Sequence, residues 1–594
     1  MTDHSAADVV AAALPEPLAP ALNLNLDLDL DRWTHAQMAH WTGGLSLPAL
    51  RMAFDDWRTH LSHNPGEQMA LVQLAAQMLH TLSCYVPRSF VANSAGCVEP
   101  DVHDKRFAHP GWRVWPYNLI GQSFLLTQAW WHSATTGVRG VAPHHQEVVS
   151  FTMRQLLDVV SPANFLWSNP EVLARTVATG GANLLQGLQN LADDVQRWQV
   201  QATPADAGAH RVGREVAITA GTVVWRNPLM ELIQYHPVGQ QVHAEPILIV
   251  PAWIMKYYIL DLSPGNSLVK YLVDEGHTVF MVSWKNPGEA ERDLGMDDYL
   301  RLGVMDALNA VTTVVPGQQV HAVGYCLGGT LCAVAAAAMG RDGDDCLASL
   351  TMLAAQTDFT EPGELALFID DSQVTFLEDI MWDRGYLDNA QMAGTFQLLN
   401  SNDLVWSRML KAYLMGERLP TSDLMAWNAD GTRLPYRMHS EYLRRLYLHN
   451  DLASGRYVVG SGPVALTDIA CPIFCLGTVR DHVAPWRSVL KLALLTDVEL
   501  TFALTSGGHN VGIVNPPGVP HRSYQMLTRA HEGKYLDPDA WLRAAPLHEG
   551  SWWPAWLAWL QPRSGALVAP PPLGAPQHGM PPLCAAPGTY VFET

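Results

Sequence analysis

Basic residues are scarce in this chain of 594 residues. Lys and Arg total 37 against 57 Asp and Glu, a net charge of −20 at neutral pH. That surplus argues against nucleic acid as a partner and against anchoring on anionic lipid, since both need cations on the protein. A phosphate-bearing substrate would need a local basic patch that the total hides. Cysteine is scarce too: eight residues form no dense framework, which fits a reducing cytoplasm rather than a disulfide scaffold. Long apolar runs are also missing. The longest lies near residues 331–339, short of the roughly 20 residues a membrane helix needs, so no transmembrane segment is expected. The opening residues, MTDHSAADVVAAALPEP, lack the basic start of a secretory signal. Apolar residues are plentiful, at 48%. A large core is available, and 21 tryptophans hint at an apolar surface as well.

Taken in order, residues 1–31 are rich in Ala and Pro and end in LNLNLDLDLD. That alternation suits a strand, but low complexity and acidity favour a disordered tail. Residues 32–205 carry helical periodicity, as in MALVQLAAQMLHTL, FTMRQLLDVV and NLLQGLQNLADDVQRW. His144 and His145 lack further ligands at metal-binding spacing and read as surface residues. The polar stretch ATPADAGAH marks a boundary at 202–210. From 206 to 562 short apolar runs alternate with helices: EPILIVPAW, GHTVFMVSW, QVHAVGYC, CPIFCLGTVRDHV and VELTFALTSGGHN. This rhythm predicts a parallel sheet covered by helices on both faces. A helical, aromatic insertion at about 360–465 interrupts it and reads as a cap over the site. Trp552, Trp556 and Trp559 share one helical face, expected to pack on the sheet domain. Residues 563–594 read as a proline-rich tail.

The centre of the pattern is QVHAVGYCLGGTLCAVAAAAMG, residues 319–340. It predicts a buried strand, a tight turn and a helix of small residues. The turn, Gly324 to Gly329, is G-x-C-x-G-G, the α/β-hydrolase nucleophile motif with Cys326 in the serine position. The glycines let a strained nucleophile backbone pass. The free N–H groups of the new helix point beside the sulfur, and that of Leu327 is the natural first oxyanion donor. Cys332 reads as a buried small hydrophobe. In this fold an acid and then a histidine follow the nucleophile, each just past a strand. Asp481 follows PIFCLG and His509 follows VELTFALTS. On the pattern alone, Asp481 also suits an ordinary turn, and His482 beside it is a rival base. Cys471 and Cys475 lack a second ligand pair, so no metal site is expected.

These residues, with KYYILDL (256–262), GHTVFMVSWKNP (276–287), NDLVW (402–406), RDHVAPW (480–486), GGHNVGIVNPP (507–517) and GSWWPAW (550–556), resemble the polyhydroxyalkanoate synthases. So do DKRFAHPGW, SPANFLWSNP and GREVAITAGTVVWRN in the helical region. The resemblance runs over roughly residues 80–560, and the helical start looks like the extra N-terminal segment some of these enzymes carry. It implies Cys326 as nucleophile, His509 as base and Asp481 as the third member. It implies (R)-3-hydroxyacyl-CoA as substrate, no cofactor, a growing polyester and its cytoplasmic granule as partners, and a homodimer. Many members carry Pro-Pro-x-Ile near the second oxyanion donor; here the stretch is Pro251-Ala252-Trp253-Ile254. Trp253 and Ile254 are thereby substrate-side candidates, and Trp253 is expected to reshape the pocket. Rival readings on this fold are a polyester depolymerase, an acyl-CoA thioesterase or an inactive granule-associated protein.

Overall fold

The computed structural model describes residues 26–101, 104–199, 210–389, 391–392, 405–418 and 420–594. Residues 1–25 of the expected tail, the boundary stretch up to residue 209 and Asn402–Leu404 of NDLVW lie outside the described residues.

Before the sheet come helices α1 (Leu26–Thr42), α2 (Leu47–His63), α3 (Pro65–Ser89), α4 (Tyr117–Thr135), α5 (Pro143–Val159), α6 (Pro170–Ala178) and α7 (Ala182–Gln199). Their starts follow local chemistry. Proline occupies the first position of α3, α5 and α6, where its missing N–H costs nothing. Ser46 and Asn169 cap α2 and α6, their side-chain oxygens accepting from Ala49 N and from Glu171 N and Val172 N. Helices α2, α3, α4 and α5 pack against one another, with α2 on α5 and α3 on α4.

One expectation needs correction here. The LDLDLD run is not a tail up to residue 31: from Leu26 onward it is helix α1. A partner the local sequence does not show accounts for this. On α9 (Asp371–Arg384), Asp379 faces His35 at 2.6 Å and Arg32 at 3.7 Å. Ala39 packs with Phe376 and Ile380. The longest uninterrupted apolar run does lie at 331–339. Helix α3 is long and apolar enough to cross a membrane on length and composition, although little of it is buried. Its polar residues are spaced through the run, so counting uninterrupted apolar residues misses it. It lies on α4, where Trp130 Nε1 donates to Leu71 O at 3.1 Å.

The sheet comprises β1 (Gly221–Arg226), β2 (Met230–Tyr235), β3 (Ile247–Val250), β4 (Val279–Trp284), β5 (Val320–Tyr325), β6 (Leu347–Leu353), β7 (Ile473–Arg480), β8 (Leu500–Gly508), β9 (Ser523–Arg529), β10 (Leu547–Glu549) and β11 (Cys584–Ala585). Their spatial order is β10-β9-β8-β7-β6-β5-β3-β4-β2-β1-β11. From β4 across to β8 every neighbouring pair is parallel, while β1, β2, β9, β10 and β11 add antiparallel edges. The strand order reverses at β3–β4–β5, and β5 sits centrally with every residue buried. Helix α8 (Leu327–Asp342) follows β5 directly. A parallel centre with a strand-order reversal, and a strand that turns straight into a helix, is the expected α/β-hydrolase architecture.

Between β6 and β7 lies the inserted segment, which includes α9 and α10 (Tyr436–Tyr442). The tryptophan helix α11 (Trp553–Leu560) packs inward as expected. Trp552, Trp553 and Trp556 are buried, and their indole N–H groups donate to Gly512 O, Ile513 O and Thr351 Oγ1. The proline-rich end is not a loose appendage. Strand β11 extends the sheet beside β1. The fully buried Glu231 carboxylate accepts from Thr589 N, Tyr590 N, Thr589 Oγ1 and Arg226.

Candidate active site

At the carboxyl end of β5 the chain turns into α8 through Cys326, which has φ 52° and ψ −123°. That backbone is strained for a residue with a side chain. It is tolerated because its neighbours are packed to the limit. A Cβ on Gly324 would sit 2.3 Å from Gly329 Cα, and one on Gly328 would sit 2.1 Å from Val250 O. Strand β3, the turn and the helix start therefore interlock, and the thiol is held at the tip. Among the described residues, the N–H groups of Leu327 and Gly328 have no backbone acceptor. They are the open amides of a helix start beside the sulfur.

Asp481 follows β7 and His509 follows β8, and the two meet. His509 Nδ1 donates to Asp481 Oδ2 at 2.8 Å. The aspartate is itself fixed: Oδ1 accepts from Val483 N at 2.9 Å and Ala484 N at 2.8 Å, and Oδ2 from Thr478 Oγ1 at 3.1 Å. With Nδ1 committed, the other ring nitrogen of His509 is left for the thiol, and Cys326 is close enough to act on the charge of the ring. Burial opposes the imidazolium, yet the charge of Asp481, followed by Cys326 and the hydrogen bonds to both, holds His509 well above its ordinary range. His482 is exposed at the surface, while its backbone carbonyl accepts from Glu364 N. The geometry thus separates the two rival histidines. Cys332 is fully buried, and burial pushes its thiol up to about 12. Cys471 and Cys475 are buried free thiols.

Above the thiol lies an apolar cavity of about 110 Å³, lined by Trp253, Ile254, Cys326 and Leu327 among others. This is room for several water-sized groups, since one needs about 10–15 Å³. All six candidate residues are therefore brought together. Trp253 packs edge-on to Trp284 and Tyr442 with ring centroids 6.3 Å apart, so it forms part of the wall. The 253–256 loop is clamped by the insertion: Thr432 Oγ1 donates to Trp253 O, Thr432 N to Ile254 O at 3.1 Å and Trp427 Nε1 to Lys256 O at 2.7 Å.

Several residues of the site escaped sequence reasoning. His439, Tyr442 and Tyr447 reach the cavity from the insertion. Burial lowers His439 to about 4, so it is neutral at ordinary pH. Tyr325 donates to Asn510 Oδ1 at 2.6 Å, tying the Cys326 turn to the His509 loop. Their adjacency to Cys326 and His509 in the sequence was the available signal. Gly43, Gly44 and Leu45 also line the cavity, and nothing local announces them. As for metals, His145 pairs with Asp56 at 2.7 Å and His144 with Asp370 at 3.5 Å. Among the described residues no group of three or more His, Cys, Asp or Glu could hold an ion.

Family comparisons extend beyond the fold. The model described as Poly-beta-hydroxybutyrate polymerase (PhaC) N-terminus matches residues 103–272, and that described as Poly-beta-hydroxybutyrate polymerase N terminal matches 27–67. The alpha/beta hydrolase fold model matches 245–516. A poly(3-hydroxyalkanoate) polymerase of Methylorubrum extorquens is 41% identical over 83% of this chain and 81% of its own. Polymerase subunits PhaC of Rhizobium meliloti and Cupriavidus necator are each 36% identical over 82% of this chain, and over 79% and 83% of their own. Likeness of that degree across most of both sequences goes beyond a shared fold, and the chain belongs to the poly(3-hydroxyalkanoate) polymerase family.

Proposed function

We propose that this chain polymerises (R)-3-hydroxyacyl-CoA into polyester, releasing CoA, through acyl-cysteine intermediates on Cys326. The observation that carries this reading is the strained Cys326 turn with the Asp481–His509 pair beside it. Relatives named poly(3-hydroxyalkanoate) polymerase support the substrate class.

His509 takes the thiol proton, and the thiolate attacks the thioester carbonyl. An ordinary thiol, with pKa near 8.5, is only a few per cent ionised at neutral pH and needs such a base. The Leu327 N–H and an N–H of the Trp253–Ile254 loop hold the oxyanion; losing one such donor costs about 10²–10³ in rate. The C–S bond to CoA breaks, and CoA leaves with the proton. One thioester has replaced another, so the acyl group stays activated; a serine oxoester would have lost most of that activation. The 3-hydroxyl of a second unit then attacks the acyl-cysteine, a new ester C–O bond forms, and the sulfur is released. His509 or Asp481 accepts that hydroxyl proton. The inserted segment keeps water from competing. No cofactor enters any step. The setting that fits an apolar product is the surface of a cytoplasmic polyester granule, with the chain acting as a homodimer.

Brief mixing with 3-hydroxybutyryl-CoA, acid quenching and peptide mass analysis tests the covalent step. A hydroxylamine-labile acyl group on the peptide bearing Cys326, absent in Cys326→Ala, is expected. Acylation elsewhere, or none while CoA is released, would sink it. Thioesterase or depolymerase activity has no observation of its own in favour.

A further inference from the structure

The cavity over Cys326 is walled partly by a segment nearly 300 residues away in sequence. The turn between α1 and α2, residues Gly43, Gly44 and Leu45, lines the same cavity as the thiol. We propose that this turn is a wall of the acyl pocket, and that the Leu45 side chain sets the length of acyl unit accepted.

The turn is held in place. Gln373 on α9 is almost fully buried, and both ends of its amide are spent on the turn. Its Nε2 donates to Gly44 O, and its Oε1 accepts from Ser46 N, each at 2.7 Å. Ser46 Oγ lies 3.1 Å from Ser372 Oγ and also caps α2. Helix α1 is docked on α9 through the Asp379 pairs and the Ala39 contacts already described. Gly43 and Gly44, at φ 64° and 87°, reverse the chain in a backbone that side chains rarely adopt. Leu45 is therefore the first residue of the turn that puts a side chain against the cavity. The neighbouring lining is apolar as well, with Leu365, Phe368, Ile369 and Leu377. Such a wall meets an alkyl chain rather than the CoA phosphates. A steric wall discriminates by chain length, because each methylene that fits or clashes is worth about tenfold or more in specificity.

This inference rests on the acyl-transfer reading, so its test includes a control for that reading. CoA release is followed for 3-hydroxybutyryl-CoA and 3-hydroxyoctanoyl-CoA, as kcat/KM, in wild type, Leu45→Ala, Leu45→Met and Gln373→Leu. The expected result is that Leu45→Ala raises the octanoyl-to-butyryl ratio about tenfold or more. Leu45→Met, with similar volume, leaves the ratio near wild type. Gln373→Leu, which frees the turn, moves the ratio in the same direction as Leu45→Ala. A ratio within twofold of wild type in both Leu45→Ala and Gln373→Leu overturns the wall. Leu45→Val, a smaller change, gives a graded shift in the same direction if Leu45→Ala fails to fold. Wild type and Cys326→Ala run alongside: release that persists in Cys326→Ala defeats the acyl-transfer reading itself, whatever the ratios.

Discussion

Cys326, Asp481 and His509 depend on one another in a definite direction. Asp481 has both carboxylate oxygens occupied by donors, so its position does not depend on substrate. It fixes the tautomer of His509, leaving the second ring nitrogen to the thiol. Asp481→Asn keeps the shape but offers His509 an amide that can donate. It should cut kcat for CoA release by about 10²–10⁴ while leaving the melting temperature within a few degrees. Loss of folding instead would assign Asp481 a structural role. His509→Gln should slow labelling of Cys326 by iodoacetamide at pH 7, since the thiol loses its base; an unchanged labelling rate would separate the two side chains functionally. The residues of this triad were legible in sequence because each sits in a strand-end motif whose glycines and apolar run are contiguous. Choosing between Asp481's neighbour His482 and the distant His509 needed the fold, which turns one ring outward and the other onto the carboxylate.

Elements, rather than residues, are where sequence reasoning fell short. The LDLDLD run looks the same whether it ends in solvent or on α9; only the Arg32, His35 and Asp379 arrangement makes it a helix worth forming. The central strands were legible because buried parallel strands are short continuous apolar runs, whereas β11 has only two residues in a proline-rich stretch. Its anchorage comes from the far side: Glu231, Gln234, Lys256 and Asn286 all bond to residues between Pro572 and Glu593. Deleting residues 584–594 would strip a fully buried carboxylate of three of its donors, and each unsatisfied buried group costs about 1–3 kcal/mol. Thermal melts of the truncated chain should show a loss of several degrees, partly recovered by Glu231→Gln. A melt superimposable on the full chain would mean the segment is only laid on the surface.

At the scale of the whole molecule, three buried histidines among the described residues carry depressed pKa values, first because burial penalises their charge. His277 falls to about 3, and His321 and His439 to about 4. Among the described residues neither ring nitrogen of His277 finds a hydrogen-bond partner, and its ring stacks on His243 at 4.5 Å. In the unfolded chain these groups titrate near 6.5, so between there and about 3–4 the unfolded state binds more protons than the folded one. Stability should therefore fall as pH drops through that window and be indifferent to these groups above it. Melts from pH 7.5 to 4.5 should show that decline, and His277→Phe should flatten it; a decline of equal slope in the variant would place the cause elsewhere. The same molecule buries Cys326 beneath two layers from distant parts of the chain, the insertion and the α1–α2 turn. That arrangement suits a reaction in which water must lose to a hydroxyl. The measurement that bears most directly on this is to give purified wild type and Cys326→Ala 3-hydroxybutyryl-CoA, and to follow free CoA and the acyl product together. CoA release with insoluble polyester, abolished in Cys326→Ala, is the expected result. CoA release with free 3-hydroxybutyrate, or turnover that survives the loss of the thiol, would contradict polymerisation through Cys326.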